Sequence, residues 1–200
     1  MNCDRIARAY RWMEYLVYQR ELERRRFRFL PEVAHAQRAL ILGDGDGRFL
    51  ARFRAASRAS VDCVDSSARM LELARARSGD ARIRYLHADA LTVPLPPSSY
   101  DLIATHFFLD CFGPQELERL VDRVSAAAQP GALWLISEFR QPQWARPLLA
   151  LMYLFFRVTA DLSNRRLVDH RPLLAARGFR LLREETSRAG FIASELWRSE

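Results

Sequence analysis

The chain has 200 residues, of which 50% are hydrophobic and 28% are charged, a composition that argues against a disordered chain and against a membrane protein. Its net charge of +7, carried by arginine, suits an anionic partner such as nucleic acid, an acidic cofactor or a membrane surface. Except for Arg24-Arg25-Arg26, the basic residues are spread along the chain, and the use of arginine in place of lysine in a GC-rich genome explains the charge without any such partner. The three cysteines have no Cys-x-x-Cys spacing, which predicts reduced thiols in a cytoplasmic protein and argues against a disulfide framework or a metal site.

We expect neither a leader peptide nor a membrane-spanning segment. The N-terminal stretch is charged and aromatic and lacks a central apolar region. The longest apolar run, 147–156, is shorter than the roughly 20 residues that a spanning helix needs.

Helix and strand patterns alternate along most of the chain. A helical pattern covers about 4–30 and ends at Pro31; strand patterns follow at about 38–42, 60–64, 82–87, 100–106 and 132–139, with helix patterns at about 47–57, 67–77 and 114–128. Beyond residue 139 come a long apolar segment, a helix and two strands, at about 143–161, 168–177, 179–186 and 190–198. This order predicts an α/β fold with a parallel sheet, helices on both of its faces, and an antiparallel hairpin at one edge.

A glycine-rich turn stands out in the stretch ALILGDGDGRFL. Gly43, Gly45 and Gly47 occupy alternate positions after a short apolar run. A strand, a glycine turn and a helix in this order form the nucleotide-binding corner of a doubly wound sheet, where the missing Cβ atoms let a ligand approach the backbone. The dinucleotide pattern G-x-G-x-x-G would need glycine where Arg48 stands, and a glycine turn alone also arises by chance in α/β proteins.

Two carboxylates follow the next two predicted strands. Asp65 ends SVDCVD, 22 residues after Gly43, where a carboxylate can accept hydrogen bonds from both hydroxyls of a ribose. Asp89 follows the third strand in LHADAL, where a carboxylate can accept from an exocyclic amine such as that of adenine. Because the carboxyl ends of parallel strands converge on one crevice, these features together predict a nucleoside site.

The chain resembles the class I S-adenosylmethionine-dependent methyltransferases. The resemblance covers about 37–139 and lies in LILGDGDGRFL, VDCVDSSARMLELAR, HADA, YDLIATHFFLDCF and AAAQPGALWLISEF. Within that family the ends of the chain are loosely similar to the small-molecule enzymes, among them the ubiquinone and menaquinone methyltransferases.

The resemblance implies a Rossmann-like, doubly wound, seven-stranded, mostly parallel sheet with an antiparallel last strand and an N-terminal cap helix. It implies a single domain over 1–200, made of a helical cap (1–36), a cofactor-binding core (37–139), a helical insertion that forms the acceptor pocket (140–166), and a closing helix with two strands (167–200). The cofactor would be S-adenosyl-L-methionine, with S-adenosyl-L-homocysteine as product, and no metal is needed. The residues implied to bind the cofactor are Gly43, Asp44, Gly45, Gly47, Asp65, Ser66, Met70, Asp89, Ala90, Thr105 and His106.

The chain departs from the family pattern in the glycine turn. The family often has an acidic residue two positions before the first glycine, and Ile41 stands there in this chain. Asp44 and Asp46 lie between the glycines instead, where they could meet the ammonium group of the cofactor.

Two residues after the fourth strand are candidates for catalysis. His106 stands where the acceptor should lie, and a neutral imidazole could take a proton from a hydroxyl, an amine or an activated carbon. Asp110 is an alternative base or a partner of His106. Packing or hydrogen bonding explains His106 as well, and a helix cap or a solvated carboxylate explains Asp110.

Aromatic and apolar side chains of the non-core segments are candidates for the acceptor pocket, although plain packing explains them too. These residues, with one from the fourth-strand motif, are Tyr10, Tyr15, Phe107, Trp144, Met152 and Tyr153. The apolar insertion fits burial over such a pocket, a homodimer interface or transient contact with a membrane surface, in that order.

The sequence therefore predicts an enzyme that methylates a small, hydrophobic or aromatic acceptor. Thr105-His106-Phe107-Phe108 differs from the Asn/Asp-Pro-Pro-aromatic motif of enzymes that methylate base nitrogens or glutamine amides, which argues against nucleic acid as partner. The alternatives are an RNA- or protein-modifying methyltransferase, a non-catalytic S-adenosylmethionine-binding protein, and a dinucleotide-dependent reductase.

Overall fold

The computed structural model describes residues 21–140, 168–187 and 190–200. In these ranges one sheet holds seven strands, in the order β3-β2-β1-β4-β5-β7-β6. The strands are β1 (Arg38–Leu42), β2 (Ser60–Asp65), β3 (Ile83–His87), β4 (Tyr100–His106), β5 (Ala128–Phe139), β6 (Phe179–Thr186) and β7 (Ile192–Ser199). Strands β1 to β5 pair in parallel, and β7 runs antiparallel to both of its neighbours, β5 and β6. The predicted sheet, including the reversed last strand, is confirmed, while residues 1–20 of the predicted N-terminal cap lie outside the described ranges.

The described ranges hold six α-helices. They are α1 (Glu21–Arg26), α2 (Leu30–Val33), α3 (Arg48–Ala56), α4 (Ala68–Ser78), α5 (Pro114–Ala127) and α6 (Arg171–Ala176), with a 3₁₀ turn at Leu109–Cys111. Of these, α3, α4 and α5 lie between parallel strands. Local signals in the sequence set two of the helix starts. Ser67 Oγ accepts from Met70 N at 3.1 Å and caps α4, while Pro114 begins α5 at a position where its missing N–H costs nothing.

Alternate residues of the central strands serve two apolar layers, one on each face of the sheet. Leu40 and Leu42 of β1 pack with the buried face of α5, and Ala39 and Ile41 pack with α3 and α4. Because successive side chains of a strand point to opposite faces, the uninterrupted apolar run of β1 fills both layers. The sheet is therefore buried on both sides, and ligands can reach it from the ends of its strands.

Element boundaries differ from the sequence prediction in two places. The N-terminal helical pattern was predicted to run to Pro31, but α1 ends at Arg26 and Pro31 lies in the first turn of α2, where proline is tolerated. Strand β5 begins at Ala128, before the predicted turn, because Ala128 pairs with Tyr100 and the register then shifts around Gly131, whose φ is +79°.

In the ranges that the structure describes, no helix combines the length and the apolar character needed to cross a bilayer. Within the same ranges, no group of three or more histidine, cysteine and acidic side chains is placed to hold a metal ion.

Candidate active site

A cavity lies at the carboxyl ends of β1 to β4, where the strand order reverses between β1 and β4. In an open α/β sheet this is the place where ligands bind. The structure brings ten of the residues predicted for the site into its lining: Gly43, Asp44, Gly45, Asp65, Ser66, Met70, Asp89, Ala90, His106 and Phe107.

The three glycines of the turn have left-handed backbones but different surroundings. Gly43 and Gly45 line the cavity, and among the described residues a Cβ added at Gly45 would meet only Met70 Sδ, at 3.9 Å. A Cβ at Gly43 would lie 2.0 Å from the Phe108 ring. Gly47 is not among the described lining residues, and a Cβ there would lie 2.6 Å from Ala74 Cα of α4. Gly47 therefore allows α3 and α4 to pack closely, which is a structural role.

Asp44 and Asp46 are engaged within the turn itself. The Asp44 carboxylate is buried and accepts from Phe49 N at 3.3 Å and Leu50 N at 2.8 Å, at the start of α3. Burial raises the pKa of Asp44 to about 6, although the charge of Arg26 and the backbone bonds act to lower it. Asp46 forms ion pairs with Arg48 and Arg77 at 3.2 and 2.9 Å. Both carboxylates thus stabilise the turn, and both also line the cavity.

The carboxylates at the ends of β2 and β3 are fixed by their own backbones. Asp65 Oδ1 accepts from Ser67 N, and Asp89 Oδ1 accepts from Leu91 N, each at 2.8 Å. Such bonds to the N–H two residues ahead orient a carboxylate without help from another segment. The two side chains line the same cavity from neighbouring strands, as predicted.

His106, at the end of β4, is buried on the opposite side of the cavity. Its Nδ1 lies 3.0 Å from Ser137 Oγ of β5, and its ring packs at 4.4 Å, between centroids, from that of Phe49. Its Nε2 is buried and has no hydrogen-bond partner in the described part of the chain. Burial, together with the charge of Arg26, holds the pKa of His106 well below its usual range, so the imidazole is neutral at physiological pH.

Arg26 and Phe107 form a wall beside His106. The Arg26 guanidinium carbon lies 5.7 Å from the centre of the Phe107 ring, a cation–π distance, and Phe107 also packs against Phe139 at 5.1 Å. Phe107 has a left-handed backbone, with φ +54°, held by a 2.7 Å bond from its N–H to the Ser137 carbonyl. The sequence did not predict Arg26 as a site residue, because it stands in a basic run that is typical of a solvated surface.

Glu138 is a second residue near the cavity that the sequence did not predict. Its Oε1 accepts from Phe108 N at 2.8 Å and Leu109 N at 2.7 Å, while its Oε2 is buried without a partner in the described ranges. Burial and the nearby Asp110 raise the pKa of Glu138 well above its usual range, and burial raises that of Asp110 to about 6. Asp110 does not appear in the described lining of the cavity. An acidic residue near the end of the buried fifth strand, in LISEF, was the signal available in the sequence.

The remaining predicted residues lie elsewhere. Thr105 is absent from the described lining; it is buried and its hydroxyl oxygen accepts from Trp134 Nε1 at 3.0 Å, which is a packing role. The candidates outside the described residues are Tyr10, Tyr15, Trp144, Met152 and Tyr153. The predicted insertion at 140–166 lies outside them as well, except for Arg140.

Comparisons with known proteins find methyltransferases. Residues 39–131 match a family model described as a methyltransferase domain. The chain is 36% identical over 107 residues to a demethylmenaquinone methyltransferase of Clavibacter sepedonicus, a match that covers 53% of this chain and 42% of that protein. It is 30% identical over 129 residues to an uncharacterized methyltransferase of Mycobacterium tuberculosis, covering 64% of this chain and 62% of that one. The chain thus spans about half the length of these curated relatives.

Solved structures share the fold. An S-adenosylmethionine-dependent methyltransferase from Mesorhizobium loti superposes with a TM-score of 0.69 at 22% identity, over 88% of this chain and 97% of that one. The N-methyltransferase NodS from Bradyrhizobium japonicum, in complex with S-adenosyl-L-homocysteine, superposes with a TM-score of 0.68 at 14% identity, over 92% and 91% of the two chains.

Proposed function

We propose that this chain, whose residues 39–131 match the methyltransferase-domain family model, transfers a methyl group from S-adenosylmethionine to a small, hydrophobic or aromatic acceptor. The observation that carries the proposal is the meeting of the glycine turn, Asp65 and Asp89 in one cavity at three neighbouring strand ends. A dinucleotide-dependent reductase would be expected to have the glycine spacing G-x-G-x-x-G in this turn, and Arg48 stands at the position of the last glycine.

In this proposal the two carboxylates hold the nucleoside. Asp65 accepts from the ribose hydroxyls and Asp89 from the exocyclic amine, while Gly43 and Gly45 let the ligand lie against the backbone. Ser66, Met70 and Ala90 complete the nucleoside wall. S-adenosylmethionine supplies an electrophilic methyl group on a sulfonium, so the protein has to orient the acceptor, exclude water and, where required, take up a proton.

The acceptor side of the cavity supports an apolar ring as substrate. Phe107 and Phe108 offer aromatic surface, His106 is a neutral proton acceptor, and Arg26 lines the same wall. The Clavibacter relative is named a demethylmenaquinone methyltransferase, and for this reason quinone-like compounds are the first acceptors to assay.

The basic run that would favour RNA gives little support to that alternative. Arg25 and Arg26 are each only 5% exposed, and Arg25 is paired with Glu21 and Glu185 at 2.9 and 3.1 Å. Of the three arginines, only Arg24 presents a largely exposed side chain.

Calorimetric titration with S-adenosyl-L-homocysteine tests the proposal. We expect micromolar binding by the wild type and a loss of about tenfold or more in Asp65→Ala and Asp89→Ala, since each removes hydrogen bonds to a charged acceptor worth roughly 1.5–3 kcal/mol. Asp65→Asn retains an oxygen for the Ser67 N–H and separates loss of charge from loss of the turn. The exposed Asp122→Ala is the matched control and should bind normally.

Two results would contradict the proposal. Binding of NADH in place of S-adenosyl-L-homocysteine would mean that the glycine turn serves a dinucleotide. Unchanged affinity in both Asp65→Ala and Asp89→Ala would mean that the cavity at the strand ends is not the binding site. Turnover with an acceptor then distinguishes an enzyme from a binding protein.

A further inference from the structure

A buried hydrogen-bonded chain links the candidate base to the N-terminal part of the fold. Ser137 Oγ of β5 lies 3.0 Å from His106 Nδ1 and 3.2 Å from the Arg25 carbonyl oxygen of α1. Both side chains are buried, with Ser137 0% and His106 3% exposed. The same carbonyl accepts from Ser194 Oγ of β7, at 2.7 Å, and from Arg28 N, at 3.2 Å.

The direction of these bonds decides which ring nitrogen carries the proton. The Arg25 carbonyl can only accept, so Ser137 must donate its hydroxyl proton to it. The Ser137 oxygen is then free to accept a hydrogen bond from Nδ1–H of His106. In this arrangement every proton of the chain has an acceptor, and the bonds polarise one another in the same sense.

The reverse arrangement is disfavoured by burial. If Ser137 donated to Nδ1, the proton of the neutral ring would sit on Nε2, which is buried without a partner in the described residues. A buried N–H with no acceptor is rarer in native structures than an acceptor that is left bare. The tautomer with Nδ1–H and a bare Nε2 lone pair is therefore the one that the surroundings support.

We propose that Ser137 is a positioning residue, which holds His106 as the Nδ1–H tautomer so that Nε2 receives the proton of the methyl acceptor. The inference rests on the proposed function and adds to it the nitrogen that acts and the group that directs it. A base at Nε2 is needed only when the acceptor loses a proton. The proposal therefore predicts an acceptor with an ionisable O–H, N–H or activated C–H at the atom to be methylated.

The step balances without any further reagent. The acceptor atom forms a bond to the methyl carbon, the electrons of the broken sulfur–carbon bond remain on sulfur, and the acceptor proton passes to Nε2. The ring leaves the step as an imidazolium and returns its proton to solvent when the products depart. Phe49 of α3 packs against the ring, and the charge of Arg26 of α1 disfavours an imidazolium before the acceptor arrives.

Nitrogen-15 NMR of protein labelled in histidine tests the tautomer without turnover. Protonated and bare ring nitrogens resonate far apart, and His106→Gln assigns the signals among the four histidines. At neutral pH, with S-adenosyl-L-homocysteine bound, we expect a protonated Nδ1 and a bare Nε2 at His106. A signal from Nε2–H in the wild type would overturn the proposal, whether or not any variant folds.

Three variants separate positioning from packing. Ser137→Ala removes the acceptor of Nδ1–H, so His106 should no longer be held as the Nδ1–H tautomer, and Ser137→Thr, which keeps the hydroxyl, should restore it. Ser194→Ala is the matched control, because Ser194 is equally buried and bonds the same Arg25 carbonyl, and it should leave the tautomer unchanged. An unchanged tautomer in Ser137→Ala would contradict the assigned role.

Titration with S-adenosyl-L-homocysteine distinguishes a failure of this proposal from a failure of the proposed methyltransferase function. Affinity within about twofold of the wild type is expected in Ser137→Ala, because Ser137 is not among the lining residues described. Failure of the wild type to bind would remove the methyltransferase proposal, and with it the role of His106 as a base, even if the Nδ1–H tautomer were found.

Discussion

Asp44 shows how a single carboxylate couples the cavity to the fold. Its two oxygens accept from the first N–H groups of α3, which is the favoured position for a negative charge at a helix start. Burial nevertheless raises its pKa from 3.8 to about 6, so desolvation outweighs the helix and the charge of Arg26. The ionised form is thus held at a cost to stability.

We expect this cost to appear as a pH-dependent difference between the wild type and Asp44→Asn. Between pH 3.8 and about 6 the native state binds more protons than the unfolded state, so the Asp44 contribution to stability falls as pH rises. Urea unfolding at pH 4 and pH 7 should show the stability of Asp44→Asn relative to the wild type rising by roughly 2 kcal/mol over that range. Parallel stability curves would mean that Asp44 ionises normally.

At the scale of elements, the connection from β4 to α5 is the least regular part of the site. Phe107 has an unfavourable left-handed backbone, and Phe108 packs on Gly43. Glu138 reaches from β5 and accepts both N–H groups that follow Phe107. This one carboxyl group therefore sets the position of the loop and, through it, the aromatic wall of the cavity.

Substitutions at Glu138 should distinguish the hydrogen bonds that its side-chain oxygen accepts from the effect of its negative charge. Because the pKa of Glu138 is raised, the neutral Glu138→Gln keeps a carbonyl for both N–H groups and should stay within about 1 kcal/mol of the wild type at pH 7. Glu138→Ala leaves both N–H groups unpaired and should lose roughly 2 kcal/mol or more. Guanidinium unfolding measures both. Equal losses would show that the negative charge is what matters.

At the scale of the whole molecule, the sequence predicted the sheet because its strands are buried runs that alternate with helices of clear period. Asp65 and Asp89 could be placed because strand ends meet at one edge, which needs only the topology. The sequence marks Glu138 as an acidic residue near the end of a buried strand. The roles of Arg26 and Glu138 depend, however, on Phe107 and Phe108, which are distant in the chain and meet them only after folding.

The antiparallel end of the sheet is held by a buried ion network around Glu195 of β7. Its carboxylate accepts from His170 and Trp197 at 3.0 and 2.8 Å and pairs with Arg171 of α6 and Arg140 after β5, at 2.8 and 3.0 Å. Burial acts to raise the pKa of Glu195, but His170, Trp197 and Arg171 together lower it. The network thus joins β5, β7 and α6.

Neutralising Glu195 should loosen this end of the molecule more than neutralising its neighbour. Glu184 of β6 pairs with the same two arginines, but its side chain is 28% exposed against 2% for Glu195. At pH 7, where the contribution of a carboxylate with a lowered pKa is fully present, Glu195→Gln should cost roughly 3 kcal/mol, because two guanidinium groups lose a buried counter-charge. Glu184→Gln should cost about 1 kcal/mol or less, since water screens that pair. Equal losses of stability in the two variants, measured by urea unfolding, would mean that the buried Glu195 stabilises the fold no more than the exposed Glu184. The β6–β7 hairpin would then depend on its apolar contacts with β5.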